Sequence, residues 1–432
     1  MTTTEVRCTP RHDVKPLRVA TASFIGTAVE WYDYFIYGMA AAIVFGPLFF
    51  PGFSSIAGTM AAFATFSVGF LARPLGGIVM GHFGDRVGRK SMLVISLMLM
   101  GIATVGIGLL PTYATIGVWA PILLVTLRFI QGIGVGGEWG GAVLMAVEHA
   151  PAGKKGFYGS FPQMGVPGGL ILANLVFLGM SSTVSDDAFL AWGWRVPFLA
   201  SAVMVIIGLV IRMTITESPD FEQVKQTSAA ERMPIVTVLR ENLKEVLIAA
   251  GAFIGINAVG YIFMAYLLSY STTVLGISKS LILGFTLVAS LVWLVAIPWS
   301  SALSDRHGRR PVLTFGSVGL AAWSLALFPL INTASPALIL LALLGTAVFM
   351  GIVYGPMAAL FSELFSAKVR YSGASLGYQL GSILGGGLAP TVATGLYASW
   401  GSSIPITVYL TAVTLLSLAC VTVLTRKVRV SA

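Results

Sequence analysis

Residues 81–90 read Gly81-His82-Phe83-Gly84-Asp85-Arg86-Val87-Gly88-Arg89-Lys90, a short charged turn between two long apolar runs. A second copy, Ser301-Ala302-Leu303-Ser304-Asp305-Arg306-His307-Gly308-Arg309-Arg310, occurs in the second half of the chain. The two copies share the core Asp-Arg-x-Gly-Arg, with Asp85 matching Asp305. The repeat predicts that the chain is built from two related halves.

Two roles are open for these turns. Glycines let helix ends approach closely, an aspartate accepts hydrogen bonds from arginines or caps a helix N-terminus, and Lys or Arg stays on the cytoplasmic side of a membrane. One possible role is a latch that opens and closes during gating, and the other is only to fix the orientation of the chain in the membrane. The presence of two copies favours the latch. The predicted latch residues are Gly81, Asp85, Arg86, Gly88, Arg89, Asp305, Arg306, Gly308 and Arg309.

Composition places the chain in a membrane. Of 432 residues, 56% are hydrophobic and only 10% are charged, and the mean hydropathy is +0.88. So few charges cannot cover a soluble globule of this size. The net charge of +9 sits in short loops between apolar runs, which argues against a nucleic-acid partner. The two cysteines and four histidines form no pattern for a disulfide framework or a metal site, so no metal or other cofactor is expected.

The chain is predicted to be an all-α membrane protein with twelve spans, because a spanning helix needs about 20 apolar residues. The candidate spans are 19–45, 57–81, 91–110, 119–147, 157–180, 195–214, 245–272, 280–301, 311–331, 337–361, 371–398 and 404–425. The predicted organisation is a tail (1–18), a six-helix bundle (19–214), a polar central loop (215–243), a second bundle (244–425) and a short tail (426–432).

Lys and Arg are concentrated in every second loop, and Arg195 and Lys279 are the exceptions. By the positive-inside rule, both termini and the central loop are expected to be cytoplasmic. The polar start has no apolar core or cleavage site of a signal peptide. The expected location is the plasma membrane, with the chain embedded in its lipid bilayer.

The halves also match beyond the latches. The order Glu148, Tyr158, Gln163 resembles the order Glu363, Tyr371, Gln379 in the second half. Transporters are commonly built from such repeats, with the substrate site near the bilayer midplane between them. This architecture predicts a transporter.

Two acidic residues fall near the bilayer centre of the first span. Glu30 and Asp33 lie about 12 and 15 residues beyond Arg18, at 1.5 Å per residue. Carboxylates at this depth are costly unless they are used, although a structural salt bridge to arginine is the alternative. They are the candidate proton-coupling residues, Asp33 first, because Tyr37 lies one turn along its face.

Arg128 is the basic counterpart in the fourth span and continues along the helix face with Gln131. A buried guanidinium suits a carboxylate substrate bidentately, or it pairs with Asp33 or Glu30 when the site is empty. Glu138 is a weaker candidate on another side of that helix. Arg73 is expected toward the cytoplasmic end of the second span, as a latch partner or snorkelling residue.

Other polar residues lie in the spans without a charged neighbour. Gln163, Asn257, Tyr261 and Gln379 are candidates to line a substrate cavity. Each could equally hydrogen-bond a neighbouring helix.

These motifs resemble the major facilitator superfamily, through the duplicated latch loops and Arg128-x-x-Gln131-Gly132. More narrowly, the chain is similar to the metabolite:proton symporter family of shikimate, α-ketoglutarate, citrate and proline/betaine carriers, closest to the shikimate type. The motifs that carry this resemblance are Glu30-Trp31-Tyr32-Asp33-Tyr34-x-x-Tyr37-Gly38, Arg73-Pro74-Leu75-Gly76-Gly77, Gly136-Gly137-Glu138-Trp139-Gly140-Gly141 and Trp192-Gly193-Trp194-Arg195-x-Pro197-Phe198.

The resemblance implies a monomeric transporter that imports a small organic acid, such as shikimate or a dicarboxylate, with protons. Import of proline/betaine-type zwitterions and proton-driven drug or metabolite export remain alternatives. A membrane enzyme is disfavoured because the spans carry no nucleophile–base constellation, and a receptor because no soluble domain is predicted.

Overall fold

The computed structural model describes residues 16–87, 89–136, 138–214, 240–365 and 370–430. For 80–87, 89–93 and a few other helical positions, including Glu138, it describes the backbone alone. Within these ranges the chain is helical and contains no strand.

We number the membrane-crossing segments as spans 1 to 12 in chain order. They are Pro16–Ile43 (span 1), Ser55–Val87 (2), Arg89–Leu109 (3), Trp119–Val135 with Glu138–Glu148 (4), Lys155–Thr183 (5), Arg195–Thr214 (6), Leu243–Tyr261 with Leu267–Thr273 (7), Lys279–His307 (8), Arg309–Ile331 (9), Pro336–Leu364 (10), Arg370–Gly381 with Ala389–Trp400 (11) and Ile404–Val430 (12).

Eight of these segments are by themselves long and apolar enough to cross a membrane, and a bent segment leading into span 6 makes a ninth. Of the other three, span 1 carries Glu30 and Asp33, and span 11 is rich in glycine and interrupted by a π turn. The side chains of span 3 are described only from Val94 onward, and the stretch Val94–Leu109 is apolar.

Two spans of the second half contain a π-helical turn at their centre. Ile262–Tyr266 interrupts span 7, and Ser382–Gly387 interrupts span 11. In the first half, the α-helix of span 4 ends at Val135 and a second helix begins at Glu138. π turns commonly mark functional positions in helices, because they leave the regular hydrogen-bond ladder locally broken.

The same helix pairs pack in both halves. Spans 1 and 5, 2 and 4, and 3 and 6 pack in the first half, as do 7 and 11, 8 and 10, and 9 and 12 in the second. Span 5 packs on span 8 and span 2 on span 11 across the interface between halves. The described helices therefore form two pseudo-symmetric six-helix bundles, as the repeated turns predicted.

The observed spans agree with the predicted ones to within a few residues at most ends. Spans 2 and 8 are longer than predicted at their C-terminal ends, because the helices continue into the two latch turns. Most of the predicted central loop, 215–239, and most of both tails lie outside the described residues. The predicted domain limits therefore stay predictions.

Candidate functional site

Four charged side chains are buried among those described, and all four belong to the first half. They are Glu30 and Asp33 on span 1, Arg73 on span 2 and Arg128 on span 4, none more than 6% exposed. Charges at this depth must be compensated by one another, by hydrogen bonds or by a ligand. They define the candidate site.

Arg128 is enclosed by aromatic rings of span 1. Its guanidinium carbon lies 4.0 Å from the ring centre of Tyr34 and 4.1 Å from that of Tyr37, in the geometry of cation–π contacts. Nη1 donates to Oε1 of Gln131 at 2.7 Å. Within the described part of the chain, Nε and Nη2 have no hydrogen-bond partner. Arg128 therefore keeps two adjacent donors for an anion.

Arg73 belongs to the same cluster. It is 1% exposed, and its guanidinium carbon lies 4.5 Å from the ring centre of Tyr34 and 4.5 Å from that of Phe70. It also interacts electrostatically with Glu30. A snorkelling side chain keeps its charged head in water, so the prediction of a snorkelling residue is wrong. The alternative of a latch partner stays a prediction, because the side chains of the first latch are not among those described.

Asp33 is held by two hydroxyl groups that the sequence did not single out. Thr104 of span 3 donates to Oδ2 at 3.1 Å, and Ser201 of span 6 donates to Oδ1. Buried serines and threonines are numerous in the described spans, so nothing in the sequence distinguishes these two. Only the packing of spans 3 and 6 against span 1 brings them to the carboxylate.

Asp33 and Arg128 do not touch in the described structure. Gln131 donates through Nε2 to Oγ1 of Thr104 at 2.5 Å, so Gln131 and Thr104 fill the space between them. The expected direct ion pair is replaced by a bridged one, because Asp33 faces spans 3 and 6 whereas Arg128 faces the tyrosines of span 1. Tyr37, the predicted neighbour of Asp33, packs on Arg128, and its hydroxyl pairs with Thr65 at 2.7 Å.

Tyr261 and Asn257 of span 7 approach this cluster from the second half. The ring of Tyr261 lies 5.1 Å from that of Phe70 and 6.2 Å from that of Tyr34. Both residues line a small cavity of about 20 Å³ with Trp31, Trp293 and Tyr354. A cavity this small holds at most a water molecule. The interface between the halves is therefore tightly packed beside the charge cluster.

Gln163 and Gln379 lie away from Arg128 and join the two halves. Gln163 donates to the backbone oxygen of Tyr354 at 3.1 Å, and Gln379 donates to that of Gly136 at 3.0 Å. Beside them, the rings of Trp139 and Tyr378 stack at 4.0 Å across the interface. We call these two hydrogen bonds the glutamine clasp.

The second latch also connects the halves. Asp305 accepts hydrogen bonds at 2.8 Å from the backbone N–H groups of Gly156 and Phe157, in the first turn of span 5. Arg309 bonds the same carboxylate at 2.7 Å and Glu363 at 3.1 Å. A carboxylate at a helix N-terminus is stabilised by the unpaired N–H groups and by the helix dipole. The end of the bundle at Asp305 is thereby held shut.

The remaining predicted residues are less informative. Arg306 is exposed to solvent, and Gly308 has φ of 86°, which suits the sharp turn between spans 8 and 9. The first latch lies outside the described side chains: Gly81, Asp85, Arg86 and Arg89 are described by backbone alone, and Gly88 not at all. Nothing is described of the Glu138 side chain.

The opposite end of the interface is a cleft of about 660 Å³. Lys279 on span 8 reaches across its mouth to Asp186 at 2.8 Å, and the lysine also lies 4.2 Å from the ring centre of Phe189. The side chain of Asp186 is 86% exposed, so this pair is weak and readily exchanged. No group of metal-binding side chains occurs among the described residues.

Comparison with known proteins gives consistent matches over nearly the whole chain. The family profile of the Major Facilitator Superfamily matches residues 23–386. The inner membrane metabolite transport protein YhjE of Escherichia coli is 44% identical over 89% of this chain and 88% of its own length. The shikimate transporter of Escherichia coli is 43% identical over 93% and 92%. The proline/betaine transporter of Salmonella typhimurium is 37% identical over 90% and 79%.

Solved structures agree on the fold. The crystal structure of a D-xylose–proton symporter superposes with a TM-score of 0.75 at 20% identity, covering 94% of this chain and 97% of that one. An inward-open xylose transporter from Escherichia coli gives a TM-score of 0.71 at 19% identity, covering 94% and 95%. At these identities the likeness concerns the arrangement of the helices alone.

Proposed function

The chain belongs to the major facilitator superfamily and is a membrane transporter of the metabolite type, not an enzyme, and from this premise we propose that it imports a small organic acid together with protons. The finer parts of the proposal concern the class of substrate, the coupling ion and the direction of transport. Each rests on a different feature of the buried charge cluster.

The observation that carries the proposal is the state of Arg128. This guanidinium is fully buried, yet Nε and Nη2 find no hydrogen-bond partner in the described structure. An unsatisfied buried donor is costly, and more so when it is charged. A carboxylate bound bidentately would satisfy both N–H groups in the planar geometry that arginine prefers. This supports an anionic substrate.

The proton is assigned to Asp33, with Glu30 as the second candidate. Asp33 is 1% exposed, and the donors that contact it are neutral hydroxyls. A carboxylate in this setting can exist charged or protonated without breaking a direct ion pair. Glu30 instead interacts with the positive charge of Arg73, which favours a fixed charge.

Transport would proceed by alternating access of the two bundles. The Lys279–Asp186 pair holds the cleft end, and the bonds of Asp305 on span 8 to the first turn of span 5 hold the other end. Opening one set of contacts while the other stays formed exposes the interface to one side at a time. By the positive-inside rule the Asp305 end is cytoplasmic, and the chain works as a monomer in the plasma membrane.

Zwitterions such as betaine are the second candidate, because relatives are named as proline/betaine transporters. A quaternary ammonium group is typically bound on aromatic faces. At this site the rings of Tyr34 and Tyr37 are already covered by the Arg128 guanidinium. This favours the acid over the zwitterion.

The test is uptake of radiolabelled shikimate, α-ketoglutarate and betaine into proteoliposomes with an inward proton gradient. Accumulation of one acid that a protonophore abolishes is the expected result. Betaine accumulation would transfer the proposal to zwitterions. Efflux of preloaded compound as protons enter would replace import by proton-driven export.

A further inference from the structure

A continuous chain of hydrogen bonds joins Arg128 to Asp33. Arg128 donates to the side-chain oxygen of Gln131 at 2.7 Å. The amide nitrogen of Gln131 donates to Thr104 at 2.5 Å, and the Thr104 hydroxyl donates to Asp33 at 3.1 Å. All three side chains that follow Arg128 are at most 1% exposed. Every donor in the chain thus points from the cation toward the anion.

This direction matters for the energy of the charges. Hydrogen bonds that are aligned in series polarise one another, and in a low-dielectric interior they are stronger than in water. The series of hydrogen bonds therefore acts as an extended ion pair, in which the charge of Asp33 partly compensates that of Arg128 although the two side chains do not touch. Loss of the negative charge at one end would leave the arginine uncompensated at the other.

Thr104 is the link at which the chain can change. Its hydroxyl has one proton and two acceptors within reach: Oδ2 of Asp33 at 3.1 Å and the backbone oxygen of Met100 at 2.9 Å. A hydroxyl donates one hydrogen bond at a time. When Asp33 is charged it claims that proton, and when Asp33 is protonated the Met100 oxygen can take it instead.

We infer that Thr104 is a positioning residue for proton coupling, whose hydroxyl transmits the charge state of Asp33 through Gln131 to Arg128. This inference rests on the proposed function in one respect, the assignment of proton and substrate to these two residues. It adds that coupling passes through a threonine of span 3 and an amide of span 4, instead of through a direct ion pair.

The proton step balances without a further reactant. A proton from outside water adds to Oδ2 of Asp33, which becomes neutral. The new O–H donates to Oγ1 of Thr104, and the Thr104 proton rotates to the backbone oxygen of Met100. Oγ1 then accepts from both Asp33 and Gln131, so the donors no longer run in one direction. The charge of Arg128 is no longer compensated by Asp33, and this favours binding of a carboxylate to its free Nε and Nη2 donors.

Other ionisable groups face Asp33 and would contribute to its pH dependence. Glu30 and Tyr32 on span 1 interact with it electrostatically. Arg73 on span 2 acts on Glu30, and Arg128 on span 4 acts through the chain. From spans 3 and 6, the described side chains in contact with Asp33 are the hydroxyls of Thr104 and Ser201.

The decisive experiment is a double-mutant cycle on protonation of Asp33, which needs no substrate. Dicyclohexylcarbodiimide reacts with protonated carboxyl groups, so mass spectrometry of the labelled Asp33 peptide across pH gives a midpoint for protonation. We expect Arg128→Gln to raise this midpoint by about one pH unit, a tenfold increase in proton affinity, because the cation that stabilises the charged carboxylate is removed. In the Thr104→Val background, Arg128→Gln should move it at most slightly further.

Two variants of Thr104 distinguish transmission through its hydroxyl, which we call the relay, from a merely structural role. Thr104→Ser keeps the hydroxyl and should restore the coupling, whereas Thr104→Val keeps the shape and should not. Thr346→Val is the matched control, because Thr346 is equally buried and bonds the oxygen of Ala342 at 2.8 Å, far from Asp33. If the Arg128→Gln protein fails to insert into the membrane, Gln131→Leu is used in its place, because this substitution interrupts the series of hydrogen bonds.

The relay is overturned if Arg128→Gln moves the midpoint equally with and without Thr104→Val, or if Thr104→Ser behaves like Thr104→Val. Radiolabelled shikimate uptake is measured in parallel. If Thr104→Val abolishes the effect of Arg128→Gln on the Asp33 midpoint but the native protein transports no shikimate, the role of Thr104 stands and the substrate proposal fails. If the native protein takes up shikimate with protons but the two midpoint shifts simply add, the substrate proposal stands and the role of Thr104 fails.

Discussion

The two halves of the molecule share one architecture but differ in the chemistry of their interiors. The same pairs of helices pack in each bundle. In the described structure, the buried charges Glu30, Asp33, Arg73 and Arg128 all belong to the first half. The buried polar groups of the second half are neutral, chiefly hydroxyls with Asn257 and Gln379.

This difference shows that a repeated backbone does not require a repeated site. Backbone packing depends on small residues and helix lengths, which both halves retain. Charge depends on a few side chains, and each buried charge needs compensation nearby. A single cluster in one half needs one set of compensating partners, and it leaves the second half free to shape the cavity with aromatic and amide groups.

The largest expected effect is from removing the arginine at the centre of the cluster. Arg128→Ala should weaken uptake by at least about 30-fold, because truncating one partner of a buried charge pair costs about 2–5 kcal/mol. Initial rates of uptake against substrate concentration measure this. Arg128→Lys keeps the charge and reports on insertion, and Asn257→Ala in the second half should change the apparent KM much less. Comparable losses from Asn257→Ala would break the contrast between the halves.

Neutralising the proposed proton site comes next. Asp33→Asn should abolish accumulation against a gradient but spare counterflow exchange, since the neutral amide resembles the protonated carboxyl in shape and charge. Exchange and accumulation are measured in the same proteoliposome preparation. Glu30→Gln is the comparison on the same span. Retained proton-driven accumulation in Asp33→Asn would remove the proton from this residue.

A smaller effect is expected from Gly69→Ala on span 2. A Cβ at this position would lie 2.6 Å from Nε of Arg128, so the guanidinium must shift from its place between the tyrosine rings. Overpacking of this kind costs about 1–3 kcal/mol, and we expect about a tenfold rise in apparent KM. Gly284→Ala on span 8 is the control, because its Cβ would meet nothing within 4 Å. Equal effects at the two glycines would contradict the packing argument.

The smallest effects are expected at the glutamine clasp. Gln379→Leu removes one hydrogen bond of the clasp, worth about 1 kcal/mol, and should raise the accessibility of engineered cysteines at the Asp305 end by roughly fivefold. Gln163→Leu removes its clasp bond and also the acceptor of the Trp139 Nε1–H at 3.0 Å, so we expect a larger rise. Alkylation rates with a membrane-impermeant maleimide measure this. A larger effect from Gln379→Leu than from Gln163→Leu would contradict this order.

The architecture was predictable from the sequence because it depends on repeated, local signals. Apolar runs of sufficient length and the two Asp-Arg-x-Gly-Arg turns identified twelve spans in two bundles. The charges Glu30, Asp33 and Arg128 were also predictable, since ionisable residues inside apolar spans are rare. Counting residues from a loop predicted that they lie deep in their spans, and their side chains are buried in the bundle.

The partners of those charges could not be predicted. Thr104 and Ser201 are ordinary hydroxyl residues of spans 3 and 6, and only the packing of three helices brings them to Asp33. The burial of Arg73 could not be predicted either, because the rings of Tyr34 and Phe70 enclose it only after spans 1 and 2 pack. The destinations of Gln163 and Gln379 depend on contacts between the halves, which no single span contains.

The glutamine clasp has a consequence for how such a protein can diverge. Both glutamines bond to main-chain oxygens, at Tyr354 and Gly136. A carbonyl group is present whatever side chain stands at those positions. Tyr354 is therefore free to change as the cavity adapts to a new cargo while its bond to Gln163 persists, whereas Gly136 is fixed, because a Cβ there would lie 2.1 Å from the backbone oxygen of Arg73.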